Sequence, residues 1–280
     1  MIKQCSWSRI LCGFGVLFVG LVTAQSAGFW VADVLHQGGV PLLLSYVALG
    51  GVEAVLMAGV LVLLCRFLLG ATLTDIRVMP FRLSPFWAVV AVVMPLMVVV
   101  LSVVAGGHWE ISPFSNEMKG AALGWAVCYV GLATGFVEEA IFRGFLLTTL
   151  EWRMGRRFAV VVPSVLFGIV HVMGRPMDVG SFVQMVVAVT LVGILLSLIT
   201  LETGNIWNAA LIHAMWNMII IGDVIAIGPE ASETAWASFV LNSHSFLVTG
   251  GDFGIEASLM AIVPIGLFTV LALLRAKHTD

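Results

Sequence analysis

Eight stretches of this chain are apolar over the length that a bilayer demands, at about 10–30, 41–65, 85–105, 120–150, 158–173, 181–200, 206–227 and 257–275. A helix needs about 20 apolar residues to cross the hydrocarbon core. Inside that core every backbone N–H and C=O must bond within the protein, so continuous apolar runs of this length are helices. Mean hydropathy is +1.09 and only 10% of residues are charged, against about 25% in soluble domains. The expected fold class is all-α, a polytopic transmembrane helical bundle of about eight spans. The fourth run is long for one crossing and is expected to tilt or to run out along the surface. No repeat, linker or shift in composition marks a boundary, so residues 1–280 read as a single membrane domain.

Basic residues set the orientation. Lys3 and Arg9, then Arg66, Arg77 and Arg82, then Arg153, Arg156 and Arg157, then Arg275 and Lys277 all fall on one side of an eight-span chain. The other side receives Lys119 and Arg175, and its long segment Gly228–Glu256 has Glu230, Glu233, Asp252 and Glu256 but no Lys or Arg. Both termini are therefore expected in the cytoplasm. Trp7, Trp30, Trp87, Trp109, Trp152 and Trp207 lie near span ends, where an aromatic belt belongs. The first run passes through Ala24-Gln25-Ser26, similar to a signal-peptide cleavage site, but continues to Trp30, long enough for a retained helix. Cys5, Cys12, Cys65 and Cys128 show no Cys-x-x-Cys spacing and read as buried apolar residues. A net charge of −3 argues against a nucleic-acid partner.

Against this background, Gly135–Leu147 (G-F-V-E-E-A-I-F-R-G-F-L-L) is anomalous. Each charge at membrane depth costs about 2.5–3.5 kcal/mol unless it finds a partner. Glu139 and Arg143 are four apart and share a helical face in the favourable order. Glu138 is turned about 100° away and is free to face a cavity. The other polar side chains at depth are Glu53, His171, His213 and Asn217. At about 1.5 Å per residue, Glu138 lies roughly 18 Å from the cytoplasmic face, His171 roughly 20 Å, His213 about 10 Å and Asn217 about 16 Å. Three helices thus bring Glu, His, His and Asn to overlapping depths.

That set suits water activation. A desolvated glutamate is a general base. A histidine can hold the water, shuttle its proton or ligate a metal. A second histidine with an amide can donate to a developing oxyanion. Glu139 and Arg143 would fix the helix and the field around Glu138. Each residue taken singly has a plainer reading, as a hydrogen bond between helices. Glu53, in Gly50-Gly51-Val52-Glu53, has no evident partner in the sequence. H-E-x-x-H, G-x-S and P-loop motifs are missing. A bis-histidine haem or transport role for His171 and His213 stays open at this point.

Three motifs then resemble one family, the CAAX-protease and bacteriocin-processing (CPBP, or ABI) membrane endopeptidases. Glu138-Glu139-Ala140-Ile141-Phe142-Arg143-Gly144 is similar to its E-E-x-x-x-R motif. Phe167-Gly168-Ile169-Val170-His171 is similar to F-x-x-x-H. His213-Ala214-Met215-Trp216-Asn217, preceded by Asn205-Ile206-Trp207-Asn208-Ala209-Ala210, is similar to H-x-x-x-N. The resemblance covers about residues 120–220, the expected catalytic core. It implies an intramembrane endopeptidase acting on a peptide or membrane-protein substrate. Glu138 and His171 would activate water, His213 and Asn217 would form the oxyanion hole, and Glu139 with Arg143 would support them. It leaves open a divalent metal such as zinc, which Glu138, His171 and His213 would ligate, against a metal-free mechanism. The alternative is a non-catalytic membrane immunity or scaffolding protein on the same fold. The short chain reads as bacterial and would sit in the inner (plasma) membrane. Its oligomeric state is not written in the sequence.

Overall fold

The computed structural model describes residues 5–173 and 176–276. Lys3, Arg175 and Lys277 of the charge count lie outside the described residues. The chain is an all-α polytopic bundle built on eight principal helices among those residues. These are α1 (Trp7–Gln37), α2 (Leu42–Leu69), α3 (Pro85–Ala105), α4 (Asn116–Met154), α5 (Arg156–Val172), α6 (Val179–Thr203), α7 (Trp207–Ile221) and α8 (Leu259–Ala276). Six of them are long and apolar enough to cross a membrane; α7 is a shorter apolar helix and α5 has 17 residues. Val55, Val104 and Leu132 point outward and are exposed, as lipid-facing side chains must be.

Local chemistry sets the helix ends. Pro85 opens α3 at a position where its missing N–H costs nothing. Asp178 caps α6 by accepting from the backbone N–H of Gly180 and Ser181. Gly155, at φ 84, breaks the chain between α4 and α5 in a conformation that a side chain would strain.

α1 packs on α2 and α2 on the first half of α4; α5 packs on α6, α6 on α8, and α3 on α7 and α8. Two large apolar clusters and a small third one, of Ala32, Leu49 and Tyr129, result. One large cluster gathers α1, α2, α4, α5 and the first half of α6, and the other gathers α3, the second half of α6, α7 and α8, with Val160 of α5. At one end of the bundle the basic residues collect. There Arg153 lies over the Trp7 ring at 5.6 Å, and Arg275 donates to Glu202 at 2.8 Å while lying over Phe86 at 4.2 Å. Arg77 bonds Thr148 and pairs with Glu151, docking the α2–α3 loop on α4.

The opposite end differs from the expected loop. It carries a three-stranded sheet of order β1-β3-β2, with β1 Gly107–Ile111, β2 Ile225–Gly228 and β3 Ala237–Leu241. β1 pairs antiparallel with β3, opposing Gly107 to Leu241, and β2 pairs parallel with it, opposing Ile225 to Ala237. The seventh run, expected to continue to residue 227, therefore leaves the helix at Ile221 and gives its last residues to β2. Phe239 is buried inside the bundle, with Trp109 against it at 5.0 Å between ring centroids.

Three further expectations need correction. Trp87 is fully buried and donates its indole N–H to Glu202 at 2.8 Å, and Trp207 donates to the Val78 carbonyl, so neither belongs to a surface belt. Cys12 is exposed, unlike Cys5 and Cys65, and all four cysteines are free thiols. Glu53 does have a partner: it is fully buried, and Gln25 of α1 donates to its Oε1 at 3.4 Å. Gln25 belongs to the stretch that is similar to a cleavage site, yet α1 runs through it without a break.

Candidate active site

Glu138 stands at the centre of the bundle, where α4, α5 and α7 meet. His171 Nε2 lies 3.9 Å from Glu138 Oε2, and His213 Nε2 lies 3.8 Å from the same oxygen. These separations exceed a direct hydrogen bond and are of the order that a shared water can bridge. Glu138 Oε2 is buried and has no hydrogen-bond partner among the described residues. The carboxylate keeps 18% of its side-chain surface, so it reaches a cavity without being open to bulk solvent.

Each histidine is oriented by its other nitrogen. His171 Nδ1 lies 2.7 Å from the Phe167 carbonyl, four residues back on α5. A carbonyl only accepts, so Nδ1 carries the hydrogen and Nε2 presents a lone pair toward Glu138. His213 Nδ1 lies 2.9 Å from Glu139 Oε1. Glu139 also accepts from Arg143 Nη1 at 2.7 Å, and both of these side chains have no exposed surface. Glu139 Oε1 acts as an acceptor toward Arg143, so His213 donates to it from Nδ1 as well. Arg143 Nη2 donates to the Gly193 carbonyl at 3.3 Å, and its guanidinium lies 4.5 Å over the Phe167 ring. Phe167 also lies against both imidazoles, at 4.4 Å from His171 and 5.9 Å from His213. One aromatic ring therefore spaces three site residues, a role that F-x-x-x-H spacing alone does not announce.

Asn217 sits four residues beyond His213 and lines the same cavity. Its Nδ2 donates to the Val130 carbonyl at 2.8 Å, which leaves one amide hydrogen uncommitted by that bond.

Two backbone features bring these groups together. Gly135 lets α4 close on α7, because a Cβ there would meet Ala214 N at 3.0 Å and Ala214 Cα at 3.1 Å. Wide π-type turns over 125–133, 140–146 and 217–221 border the site on α4 and α7. Such turns insert a residue and re-aim the side chains beside them, often at functional sites.

His213 was expected nearer the membrane face than Glu138, yet the two meet. The cause is that α7 does not start at the surface. Ile206 is fully buried, and its N–H donates to the Arg77 carbonyl at 3.0 Å. Asn208 accepts from Ser84 N at 2.7 Å and donates to the Arg82 carbonyl at 3.2 Å. Trp207 stacks on Phe136 at 5.2 Å. The Asn205–Ala210 run thus staples the α2–α3 loop over the head of α7 and sinks the helix into the bundle.

Two cavities meet at Glu138 and His171. One, of about 380 Å³, opens between α1 and α5 and is walled by Phe14, Phe18 and Leu21. The other, of about 190 Å³, runs toward the sheet end past His213 and Asn217 to Phe253 and Glu256. Neither the α1 wall nor the Phe253–Glu256 wall was foreseen, because both lie far away in sequence.

A zinc ion would need three protein ligands converging at about 2.0–2.2 Å. Among the described residues no three His, Cys, Asp or Glu side chains are arranged to hold a metal ion, Glu138, His171 and His213 included. The second nitrogens of the histidines fix both rings facing the carboxylate, so the three groups form a carboxylate–imidazole cluster.

No curated protein matches the chain. Residues 120–219 match the family described as Type II CAAX prenyl endopeptidase Rce1-like. That range contains all three motifs, the helices α5 and α6 and most of α4 and α7. The chain is an integral membrane protein whose segment 120–219 is similar to the Rce1-like family of CAAX-type proteases, the broad family that the three motifs resemble.

Proposed function

We propose that the chain is an intramembrane endopeptidase that hydrolyses a peptide bond with a water held between Glu138 and His171. The observation that carries this reading is the convergence of both Nε2 atoms on Glu138 Oε2 within 3.9 Å. His171 holds the water through the Nε2 lone pair, and Glu138 takes its proton as the oxygen bonds to the scissile carbonyl carbon. The carbonyl π electrons move onto its oxygen. That oxyanion accepts from His213 Nε2–H, in the doubly protonated ring that Glu139 stabilises, and from the second amide hydrogen of Asn217. Collapse breaks the C–N bond, and Glu138 passes its proton to the leaving nitrogen. One water is consumed and two new termini form. Glu139 and Arg143 are positioning residues, holding His213 and the α4 backbone.

The substrate is a peptide or membrane-associated chain that reaches the site between α1 and α5. Residues 1–280 act as one membrane domain, with residues 120–220 as the catalytic core and α1 supplying a wall. The cluster of basic residues at one end supports cytoplasmic termini in a bacterial inner membrane. Glu138 occupies the space between the histidines where a haem iron would bind, which argues against a bis-histidine haem site.

New peptide termini in membranes carrying the wild-type chain, compared with Glu138→Gln at matched levels, test the reading. Termini that vanish only in the variant identify proteolysis and substrate together. Identical termini, with the variant still supporting any phenotype, favour the non-catalytic immunity or scaffolding role.

A further inference from the structure

α1 walls the larger cavity with Phe14, Phe18 and Leu21, beside Glu138 and His171. Yet α1 is held by one stripe of small and apolar residues, among them Gly13, Leu17, Ala24 and Gly28. It packs on α2 and meets α4 where Phe14 lies 6.2 Å from Phe142 between ring centroids. Leu11, Val19, Val22 and Trp30 face outward. Lipid tails are as apolar as these side chains, so the hydrophobic effect does little to fix which way such a helix faces. Its rotation must be set by packing and by polar contacts.

Close packing supplies part of the answer. A Cβ on Gly28 would meet the Leu49 carbonyl oxygen at 3.0 Å, and one on Gly20 would meet Val60 Cγ1 at 3.3 Å. The other part is polar. Glu53 lies eleven residues into α2, about 16 Å along its axis, in a buried stripe with Gly50, Met57 and Leu61. Gln25 Nε2 of α1 donates to its Oε1 at 3.4 Å, and Oε2 has no hydrogen-bond partner among the described residues. A carboxyl desolvated at this depth and half satisfied does not repay its burial. What a polar pair in an apolar seam supplies is register, because other rotations of α1 leave both groups bare. Gln25 is four residues beyond Leu21 and seven beyond Phe18, so the three share a helical face. The bond that holds Gln25 on Glu53 therefore also aims the cavity wall.

Resting on the endopeptidase reading, we infer that Gln25 and Glu53 are positioning residues for the substrate. Their bond holds α1 in the rotation that turns Phe14, Phe18 and Leu21 toward Glu138, and so builds the wall against which the substrate lies. Neither side chain belongs to the cluster that acts on the peptide bond. Loss of the pair therefore weakens substrate binding before it slows the chemistry.

The test uses the full chain in detergent and two separate readouts. The first is the yield of a short bifunctional thiol reagent linking Phe14→Cys to Phe142→Cys, with the four native cysteines replaced by alanine. The second is cleavage of whichever member of a pool of acetylated decapeptides the wild-type chain cuts best. In the double variant Gln25→Leu/Glu53→Leu the cross-link is expected to fall severalfold. KM is expected to rise about tenfold, the scale of one lost methylene contact in an apolar pocket. The turnover number kcat should stay within about twofold, as for an interaction made equally in ground and transition states. Removing both partners strands no polar group, so the melting midpoint should not fall. The exchanged pair Gln25→Glu/Glu53→Gln, which can remake the bond, is expected to restore both cross-link and KM. Gln25→Met alone is expected to shift both in the same direction, and serves if the double variant fails to fold. A double variant with wild-type cross-linking, or one whose KM is unchanged although the cross-link is lost, overturns this assignment alone. So does a loss of kcat that merely follows the melting midpoint. A wild-type chain that cuts no peptide beyond the Glu138→Gln background overturns the peptidase reading, and this assignment with it.

Discussion

His213 Nδ1 lies 2.9 Å from Glu139 Oε1, across 74 residues of sequence. This bond joins α7 to α4 and turns the other imidazole nitrogen toward Glu138. The same oxygen also accepts from Arg143, so one carboxylate orients the His213 ring and neutralises a buried cation at once. Glu139→Gln keeps an acceptor but loses the charge. Cleavage is expected to fall by about 10–100-fold, the scale for a group that orients a functional histidine. Glu139→Leu is expected to fall further, since it leaves both donors bare. Turnover of any substrate found by terminus mapping, at equal folded yield, checks the order.

Glu138→Gln is expected to lose about 10²–10⁴ in rate, the contribution of a positioned general base. It should not lose stability. Glu138 Oε2 is buried without a hydrogen-bond partner among the described residues, so removing the charge removes a desolvated group and breaks no bond described for that oxygen. His171→Ala should show the same separation of rate from stability. Thermal melting in detergent beside single-turnover cleavage would distinguish this from simple unfolding.

Much of this site is legible in the sequence because membranes make charge expensive. Glu138, Glu139 and Arg143 stand out in an apolar run, and helical spacing alone pairs the last two. The spans are legible for the same reason: apolar length is the signal. What the sequence hides is set by contacts between distant segments. Glu53 finds Gln25 on another helix. Ile206 is sunk by the bond its N–H donates to the Arg77 carbonyl, in a loop over a hundred residues earlier. The three-stranded sheet forms from short runs that hydropathy assigns to a helix end and a loop. The π-type turns beside Glu139 and Asn217 leave no mark in residue type, since their cost is balanced by tertiary packing.

Arg143→Met is expected to destabilise the chain by about 3–5 kcal/mol, because it leaves Glu139 buried without the guanidinium that neutralises it, with only His213 still bonded to it. Pairing it with Glu139→Gln should recover much of that loss, since the stranded charge goes too. Both Arg143 and Glu139 have no exposed surface, so solvent cannot compensate. Melting midpoints of the two single variants and the double variant, compared as a cycle, measure the coupling.

Acid should weaken the head of α6. The Asp178 carboxyl is held below its ordinary range, first by the Ser181 hydroxyl and then by the backbone N–H groups of Ser181 and Gly180. A group whose folded value is depressed stabilises fully above its unfolded value, about 3.9, and loses that contribution as pH falls through the folded value. The wild-type melting midpoint should therefore drop more steeply below about pH 4 than that of Asp178→Asn, whose cap does not titrate. The site is exposed, so the difference will be small. Hydrogen exchange at Gly180 and Ser181 is the more sensitive measurement.

Gly135 tests whether the close approach of α4 and α7 matters to the chemistry. A Cβ at this position would sit 3.0 Å from Ala214 N, 3.1 Å from its Cα and 3.2 Å from its Cβ. Backbone atoms cannot yield as a flexible side chain can, so the helices must part. Overpacking of this kind costs about 1–3 kcal/mol. A shift of about 1 Å in a reacting geometry can cost about 10²-fold in rate. Glu138 lies one helical turn from Gly135, and His213 adjoins Ala214, so the displaced contact is the one that sets their 3.8 Å separation. Gly135→Ala is therefore expected to lose far more activity than stability, and Gly135→Val to lose both. Adding Ala214→Gly to Gly135→Ala removes the crowding at Cβ but not at the backbone, so rescue should be partial. A rate in Gly135→Ala that tracks its melting midpoint, with no extra loss, would show that the α4–α7 spacing serves folding alone.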